Sequence, residues 1–269
     1  MDEIQNPTSK NVLQTHLAPL DAYLRGGIHA SSITEIVGPS GVGKTQFCHA
    51  LSLLCVLPEE CGGMGEDCSV FYFDTEHAFS STRLTEMSAH LRPEYCHNEE
   101  NLIHAIERIV VYTPPNSQHF VHSLEEIEEE LIEKNVKLIV IDSIAALVRK
   151  EFDSISTLHR QALLSKIASI LKKYAETFHI PIIITNQVTQ SDNAIIAALG
   201  NSWSHSINTR IVLEYANPLL SHQLKLNATE SIRSMTIAKS PVSPVVTFLY
   251  IINLSGFVFL KKSGVQEEA

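Results

Sequence analysis

Near its amino terminus the chain reads Gly38-Pro39-Ser40-Gly41-Val42-Gly43-Lys44-Thr45. This run fits the phosphate-binding pattern G-x-x-x-x-G-K-[ST] without a mismatch. Glycine lets the backbone turn so that its N–H groups point inward at a phosphate, and the lysine supplies a cation for the charge that remains. The sequence therefore predicts a nucleoside triphosphate site made by this run and by Gln46, the residue that follows it.

The residues on both sides of the run fit the surroundings that the motif requires. Ile33–Val37 is a β-rich apolar segment, and Thr45–Leu54 has the composition of an apolar helix. Strand, loop and helix follow one another in this order in phosphate-binding loops. A glycine-rich turn with an exposed lysine is the alternative interpretation, and this order disfavours it.

The composition limits the class of protein. With 269 residues, no dividing linker and no internal repeat, we expect one α/β domain at 15–262 between short tails at 1–14 and 263–269. Five cysteines without a C-x-x-C pair favour a reducing compartment, and the thirteen histidines are expected to be structural or solvated. No apolar run approaches the roughly 20 residues of a membrane span, so we expect a soluble protein without a membrane partner. The net charge of −10 disfavours a protein whose main task is to hold nucleic acid unaided.

Apolar segments alternate between strand-like and helix-like patterns as far as residue 186. This alternation predicts a mostly parallel, twisted sheet flanked by helices. Beyond residue 209 strands follow one another without helices, which predicts an antiparallel extension at the C-terminal edge. The predicted strands are Val70–Asp74, Ile109–Tyr112, Leu138–Asp142, Ile182–Asn186, Thr209–Tyr215, Ser234–Ala238 and Val245–Ile251, and the predicted helices begin at Ser80, after Ser123 and at Thr157.

Three side chains have the chemistry that hydrolysis of a triphosphate needs. Thr45 and Asp142 fit a Mg²⁺ site, because that ion is usually bound by a hydroxyl of the phosphate loop and an acid at the end of a buried strand. Asp142 could instead merely cap the next helix. Glu76 follows a strand at the sheet edge where ligands bind in α/β proteins, so it is a candidate to orient or deprotonate water. A solvated loop glutamate is the alternative interpretation of Glu76.

Several short motifs occur together and in the order found in one family. They resemble the ATPase core of RecA/RadA-type recombinases, and the resemblance extends from Thr15 to about Leu260. Val148–Asp153 and Ala197–Ser206 are similar to one branch, the B-type paralogs of the eukaryotic strand-exchange recombinase, which works in homologous-recombination repair. The motifs are Thr15 with Leu20-Asp21, Gly26-Gly27-Ile28, Ser32-Ile33-Thr34-Glu35, Gly43-Lys44-Thr45-Gln46, Phe73-Asp74-Thr75-Glu76, Ile141-Asp142-Ser143 and Thr185-Asn186-Gln187-Val188.

The resemblance implies a RecA-like P-loop fold that binds ATP and Mg²⁺ and hydrolyses ATP with stimulation by DNA. It implies that Glu76 activates the attacking water, that Gln187 senses the γ-phosphate and that Arg83 lies near the adenine. Lys44 would contribute to both binding and catalysis. The resemblance further implies a nuclear protein that acts in a hetero-oligomer of paralogs. A nucleotide-stabilised interaction subunit without significant turnover is the alternative, and a small-metabolite kinase fits poorly because the sequence shows no arginine-rich lid segment.

Contacts with an adjoining subunit are also implied by the resemblance. His205 falls where the family couples the ATP state to a neighbour, and Lys239 lies in the segment that caps a neighbour's ATP. A cation that reaches across an interface can act as an arginine finger does. A surface lysine beside a turn is the plain alternative for Lys239, and Trp203 is expected to be a packing residue.

Candidate DNA contacts are few. Arg160 lies in the first candidate DNA loop, and Arg149 and Lys150 come just before it. The second candidate loop, 188–201, contains no lysine or arginine. We therefore expect the chain alone to bind single-stranded or branched DNA weakly and to fail at strand exchange.

Overall fold

The computed structural model describes residues 11–147, 157–191, 194–197, 199–217 and 231–260. In these residues the strands are β1 (Val12–Leu13), β2 (Ile28–His29), β3 (Ile33–Val37), β4 (Ser69–Asp74), β5 (Ile109–Tyr112), β6 (Val136–Asp142), β7 (Ile182–Asn186), β8 (Val188–Ser191), β9 (Ala194–Ala197), β10 (Thr209–Tyr215), β11 (Arg233–Lys239), β12 (Val246–Asn253) and β13 (Gly256–Phe259). The helices are α1 (Ala18–Tyr23), α2 (Lys44–Cys55), α3 (Ser81–Leu91), α4 (Pro93–Cys96), α5 (Glu99–Glu107), α6 (Ser117–Glu126), α7 (Glu128–Glu133), α8 (Thr157–Phe178) and α9 (Gly200–Ser206), with a 3₁₀ turn at Glu59–Cys61.

A nine-stranded sheet runs through the protein in the order β13-β12-β11-β10-β3-β7-β6-β4-β5. Neighbouring strands from β10 to β5 pair in parallel, whereas β10 to β13 pair antiparallel. The predicted mostly parallel sheet with an antiparallel C-terminal edge is therefore confirmed. This order also places β3, the strand before the phosphate-binding run, between β10 and β7.

Strand β6 shows why helices cover both faces of the sheet. Its residues Leu138 and Val140 pack into one core layer, whereas Ile139 and Ile141 pack into the other. Alternate residues of a strand point to opposite faces, so a strand that is apolar throughout needs cover on both sides. Helices α2 and α3 contribute to the first layer, and α6, α7 and α8 contribute to the second. None of the helices in the described ranges is long and apolar enough to cross a bilayer.

The local structure differs from the sequence prediction in several elements. The acidic helix was predicted to begin after Ser123, which is wrong, because Asn116 caps α6 by accepting a hydrogen bond from the His119 N–H at 2.9 Å. An Asn cap satisfies an N–H of the first helical turn and so sets the start earlier in the chain. Helices α4 and α5 and strand β13 were not predicted. Strand β1 lies just before residue 15, the predicted start of the domain, and pairs with β2. The division into a domain and two tails stays a prediction.

The parallel strands bring the candidate site residues to one edge of the sheet. The register pairs Val37 of β3 with Asn186 of β7, and Asp74 of β4 with Asp142 of β6. These four residues end their strands, so the segments that follow them begin side by side. Ligands of α/β proteins bind at this carboxyl edge.

Candidate nucleotide-binding site

The phosphate loop, residues 38–45, turns sharply between β3 and α2. Gly43 has a φ of 108° just before the first residue of α2, a conformation that residues with a side chain rarely adopt. A Cβ atom at Gly38 would lie 2.4 Å from the carbonyl oxygen of Leu213 in β10. The shape of the loop therefore requires glycine at both positions, as the motif predicts.

Lys44 is the buried cation of the phosphate loop. Its Nζ donates hydrogen bonds to the carbonyl oxygens of Gly38 (2.9 Å) and Pro39 (2.8 Å). Burial lowers the pKa of the Lys44 ammonium, and the carboxylates of Glu76 and Asp142 oppose this by stabilising its charge. The structure thus brings these three predicted residues within electrostatic reach of one another.

Two tyrosines of the antiparallel extension hold the outer side of the phosphate loop. The buried Tyr250 hydroxyl donates to the carbonyl oxygen of Val42 (2.7 Å), and the Tyr215 hydroxyl donates to that of Ser40 (3.1 Å). The guanidinium of Arg233 lies over the Tyr215 ring, 5.6 Å from its centroid. A carbonyl that is bonded outward leaves the neighbouring N–H groups free to face a phosphate, so these contacts favour the backbone orientation that a phosphate site needs.

Asp142 is 2% exposed, and two hydroxyls orient its carboxylate. Tyr72 donates to Oδ2 at 2.9 Å, and Thr185 donates to Oδ1 at 2.5 Å. Each oxygen therefore keeps a lone pair that it has not used in these bonds. Asp142 ends β6, and its hydrogen-bonding partners lie on the adjacent strands β4 and β7.

These residues fit a Mg²⁺ site that a nucleotide completes. The described residues contain no group of three His, Cys, Asp or Glu side chains that could hold a metal ion by themselves. Mg²⁺ is commonly bound by one or two protein oxygens together with phosphate oxygens, so such a group is not needed. Thr45, half-buried in the first turn of α2, and Asp142 are the residues that would hold the ion. Their role as metal ligands stays a prediction.

Glu76 is exposed, and two neighbouring side chains fix its carboxylate. Its Oε1 accepts hydrogen bonds from the Ser143 hydroxyl (3.0 Å) and from Nε2 of Gln187 (2.9 Å). Asp74 shapes the loop that carries Glu76 by accepting bonds from the N–H groups of Ala78 (3.1 Å) and Phe79 (2.9 Å). The structure therefore brings Gln187 to Glu76, and their predicted roles, sensing of the γ-phosphate and activation of water, stay predictions.

Arg83 lies beside the first turn of α2, next to the phosphate loop. Its Nε donates to Oε1 of Gln46 (2.7 Å), and one Nη donates to the carbonyl oxygen of Asn253 (2.9 Å). The other Nη forms an ion pair with Glu86 at 2.9 Å. These contacts hold the guanidinium in place beside Gln46, and the predicted position of Arg83 near an adenine stays a prediction.

His49 lies on α2 one helical turn after Thr45 and is 1% exposed. The rings of Phe79 and Tyr72 lie 5.2 Å and 5.8 Å from its imidazole ring. Burial lowers the pKa of His49 to about 4, while Asp142 and Asp74 raise it and Arg83 lowers it further. The imidazole is therefore neutral in the folded protein under conditions in which an exposed histidine is protonated.

We expect the free energy of unfolding to decrease as the pH is lowered, because His49 is buried in its neutral form. Below its ordinary pKa of 6.5 the unfolded chain binds a proton there, whereas the folded protein does not until the pH approaches about 4. The free energy of unfolding should therefore drop by about 2 kcal/mol between pH 6.5 and pH 5. Urea unfolding of the wild type and of His49→Phe, which keeps a ring in the cluster, measures this effect. The same loss in both proteins would show that His49 is not its source.

Helix α9 carries two of the residues that sequence analysis singled out. Trp203 is 2% exposed, and its indole N–H donates to Glu35 at 2.8 Å, so its predicted packing role is confirmed. His205 is exposed in the last turn of the helix. Lys239 of β11 donates from Nζ to the carbonyl oxygens of Ser204 (2.9 Å) and Ile207 (2.5 Å), at the C-terminal end of α9. The Lys239 ammonium is thus bonded within its own chain, and its action on a neighbouring subunit stays a prediction.

We expect Lys239→Ala to destabilise the isolated chain. A cation at the end of a helix offsets the negative end of the helix dipole and satisfies carbonyls that have no partner in the helix. Because Lys239 is largely exposed, the loss should be about 1 kcal/mol, measurable as a lower urea midpoint. Lys239→Arg, which keeps the charge, is the matched control. Unchanged stability of the alanine variant would show that these bonds contribute nothing and would favour a role for Lys239 in an assembly alone.

The candidate DNA-binding residues are only partly covered by the structure. Arg149 and Lys150 lie outside the described residues. Arg160 is half-buried in the first part of α8, where it interacts with other groups of the protein. Their contact with DNA stays a prediction.

Four side chains that support the candidate site residues were not predicted, although three of them lie within the quoted motifs. Ser143 follows Asp142 directly, Asp74 precedes Thr75-Glu76, and Thr185 begins Thr185-Asn186-Gln187. Their polar character at the ends of apolar strands was the available signal. Tyr72 gave no such signal, because a tyrosine inside an apolar strand indicates a core residue.

Comparison of the sequence with known proteins identifies a family of DNA repair and recombination proteins. The sequence model of the family described as Rad51 matches residues 9–258. Human "DNA repair protein RAD51 homolog 2" is 38% identical, with coverage of 91% of this chain and 68% of the human protein. The protein of that name in Arabidopsis thaliana is 34% identical, with coverage of 98% and 74%. "DNA repair and recombination protein RadA" of Cenarchaeum symbiosum is 34% identical, with coverage of 76% and 50%. The resemblance inferred from the motifs is confirmed, and the chain belongs to the Rad51 family.

Proposed function

We propose that this protein is an ATP-binding and ATP-hydrolysing subunit that acts in homologous-recombination DNA repair. The observation that carries the proposal is the convergence of Lys44, Asp142 and Glu76 at one sheet edge, with Gln187 bonded to Glu76. A phosphate-binding cation, an acid suited to Mg²⁺ and a water-orienting carboxylate are the groups that hydrolysis of a nucleoside triphosphate uses. Membership of the Rad51 family, and the repair proteins among its relatives, support the biological setting.

The chain's own residues divide the work between binding and hydrolysis. The glycines and N–H groups of the phosphate loop enclose the triphosphate, and the Lys44 ammonium exchanges carbonyl partners for phosphate oxygens. Thr45 and Asp142 would hold Mg²⁺, which would offset the charge that develops on the phosphates. Glu76 orients the attacking water and accepts its proton, while Ser143 and Gln187 hold the carboxylate in place.

ATP turnover with and without single-stranded DNA tests this function. We expect slow hydrolysis by the chain alone. Hydrolysis should be faster with single-stranded DNA, and faster when the chain is measured within the complex isolated from cells. Tight binding without turnover under all of these conditions would favour the alternative, a nucleotide-stabilised interaction subunit. Absence of nucleotide binding would overturn both functions.

The same proposal includes a hetero-oligomer of Rad51-family proteins in the nucleus. The net charge of −10 favours the involvement of partner proteins, because a chain of this charge is poorly suited to hold DNA by itself. Co-purification of the tagged full chain from nuclear extract, followed by mass spectrometry, tests this part. Recovery of the chain without any other member of the family would contradict it.

DNA binding by the isolated chain should be weak and only mildly dependent on salt. If about three cations, among them Arg149, Lys150 and Arg160, meet phosphates, the logarithm of affinity for single strands should fall against the logarithm of salt concentration with a slope of about −2. Fluorescence anisotropy with a labelled oligonucleotide at several salt concentrations measures this slope. A slope several times steeper, or strand exchange by the purified chain alone, would contradict the expectation.

A further inference from the structure

A cavity of about 300 Å³ lies between α2, α3 and the beginning of β13, and we call it the α2–α3 cavity. Its apolar wall contains Phe47 and Leu51 of α2, Met87 of α3 and Phe257 of β13. The rings of Phe47 and Phe257 meet edge to face, with their centroids 5.4 Å apart. Neither the phosphate loop nor any other residue of the candidate nucleotide-binding site described above lines this cavity. Its size and mostly apolar lining are typical of sites for small molecules.

Arg92 places a fixed guanidinium in the wall of the α2–α3 cavity. Its Nε donates to the carbonyl oxygen of Cys61 at 2.8 Å, and one Nη donates to Nδ1 of His16 at 2.6 Å. The other Nη lies 3.8 Å from the carboxylate of Glu94, which is longer than a hydrogen bond. A guanidinium has five N–H donors, so these bonds orient the group and leave donors that a ligand can use.

The charge of the cavity wall favours a negatively charged ligand. Burial, and to a lesser extent the charge of Arg92, lower the pKa of His16, so its imidazole is neutral at pH 7. Among the described residues that line the cavity there is no aspartate or glutamate. In a chain whose net charge is −10, a wall that contains a cation and no carboxylate is suited to an anion.

We propose that the α2–α3 cavity binds a small molecule that combines one carboxylate with an apolar body the size of an aromatic ring. The apolar body leaves water for a wall that contains two phenylalanine rings, which is favourable. The carboxylate accepts hydrogen bonds from Arg92, and a planar guanidinium suits the geometry of a carboxylate. Both parts of the ligand are needed, because a short acid buries little apolar area and a neutral molecule forms no charged pair with Arg92.

Met87 makes this binding observable in the full chain. The ring of an aromatic ligand shifts the resonance of a nearby methyl group, so ¹³C-methyl labelling of methionine reports occupancy. Met235 is fully buried in β11 and does not line the cavity, which makes its methyl group an internal control.

Three probes separate the contributions of the carboxylate and of the ring. 3-Phenylpropanoate carries both, 3-phenylpropan-1-ol keeps the ring without the charge, and acetate keeps the charge without the ring. We expect the Met87 resonance to shift and saturate with 3-phenylpropanoate, to respond about tenfold more weakly to the alcohol and to stay in place with acetate. An unmoved Met87 resonance, equal affinity for the acid and the alcohol, or an equal shift of Met235 would overturn the proposal.

A matched pair of variants tests the role of Arg92. Arg92→Gln should lower the affinity for 3-phenylpropanoate by about tenfold or more and leave the affinity for the alcohol unchanged. Arg108→Gln is the control, because Arg108 also bonds a backbone carbonyl oxygen, that of Val56 at 2.7 Å, but does not line the cavity. It should bind both probes as the wild type does. Equal losses for the acid and the alcohol in Arg92→Gln would contradict the charged pair, and the wild-type titrations decide the proposal even if this variant fails to fold.

The same titration with Mg²⁺ and a non-hydrolysable ATP analogue present tests whether the two sites are separate. The shift of the Met87 resonance by 3-phenylpropanoate should persist when the analogue is bound. Displacement of the probe by the analogue would place it in the nucleotide site and overturn the assignment of a second site.

Discussion

Glu76→Gln should lower ATP turnover by about 10²- to 10⁴-fold while nucleotide affinity stays close to that of the wild type. The amide keeps the shape of the carboxylate but cannot accept a proton from water. Ser143 donates to Oε1 of Glu76 in the wild type, and this bond can persist in the variant because the glutamine retains one acceptor oxygen. Steady-state phosphate release, together with calorimetric titration of an ATP analogue, separates the two effects.

Glu133→Gln is the matched control for this experiment. Glu133 ends α7 on an exposed surface, so the same change of charge there should leave turnover unaltered. Turnover that survives in Glu76→Gln would show that another residue orients the water. A parallel loss of affinity would show that Glu76 contributes mainly to binding.

Lys44→Ala should weaken ATP binding by about 10²-fold or more. Hydrogen bonds to a charged group contribute about 1.5–3 kcal/mol each, and Lys44 already forms two within the phosphate loop. Phosphate oxygens replace the two carbonyl acceptors when a nucleotide binds, and the negative charge strengthens the interaction. Titration with a fluorescent ATP analogue measures the loss.

Lys172→Ala serves as the control, because Lys172 is an exposed partner of Glu176 at 3.9 Å on α8. It should bind nucleotide as the wild type does. Thermal unfolding of both variants shows whether Lys44→Ala has also loosened the loop through the loss of its bonds to Gly38 and Pro39. Unchanged affinity of a folded Lys44→Ala protein would remove the assignment of the phosphate loop.

The sequence was most informative where function depends on adjacent residues. The phosphate loop and the strands before and after it follow from short-range patterns, because a glycine or an apolar run acts within its own segment. Asp142 could be predicted as the acid of a metal site for the same reason, since it directly ends an apolar strand. The start of α6 was misplaced because several polar residues before the acidic segment can cap a helix, and Asn116 does so.

The supporting contacts could not be predicted because they join residues that are far apart in the chain. Tyr72 reaches Asp142 only because β4 and β6 are neighbours, and Glu35 meets Trp203 only after the sheet has formed. Lys239 was singled out for a role between subunits, yet its position over the end of α9 gives it partners within its own chain. No local pattern distinguishes these pairings from their alternatives, since each depends on the order of the strands.

The tyrosine bonds to the outer side of the phosphate loop bear on the interpretation of genetic variants. Tyr250 lies in β12, remote in sequence from Val42, but its hydroxyl holds the carbonyl of that residue. A shortened form of the chain that ends before β11 would retain the complete motif and lose this support. Alleles that truncate the last strands, or that replace Tyr250 with phenylalanine, are therefore expected to cause the same kind of defect as alleles of the phosphate-binding motif.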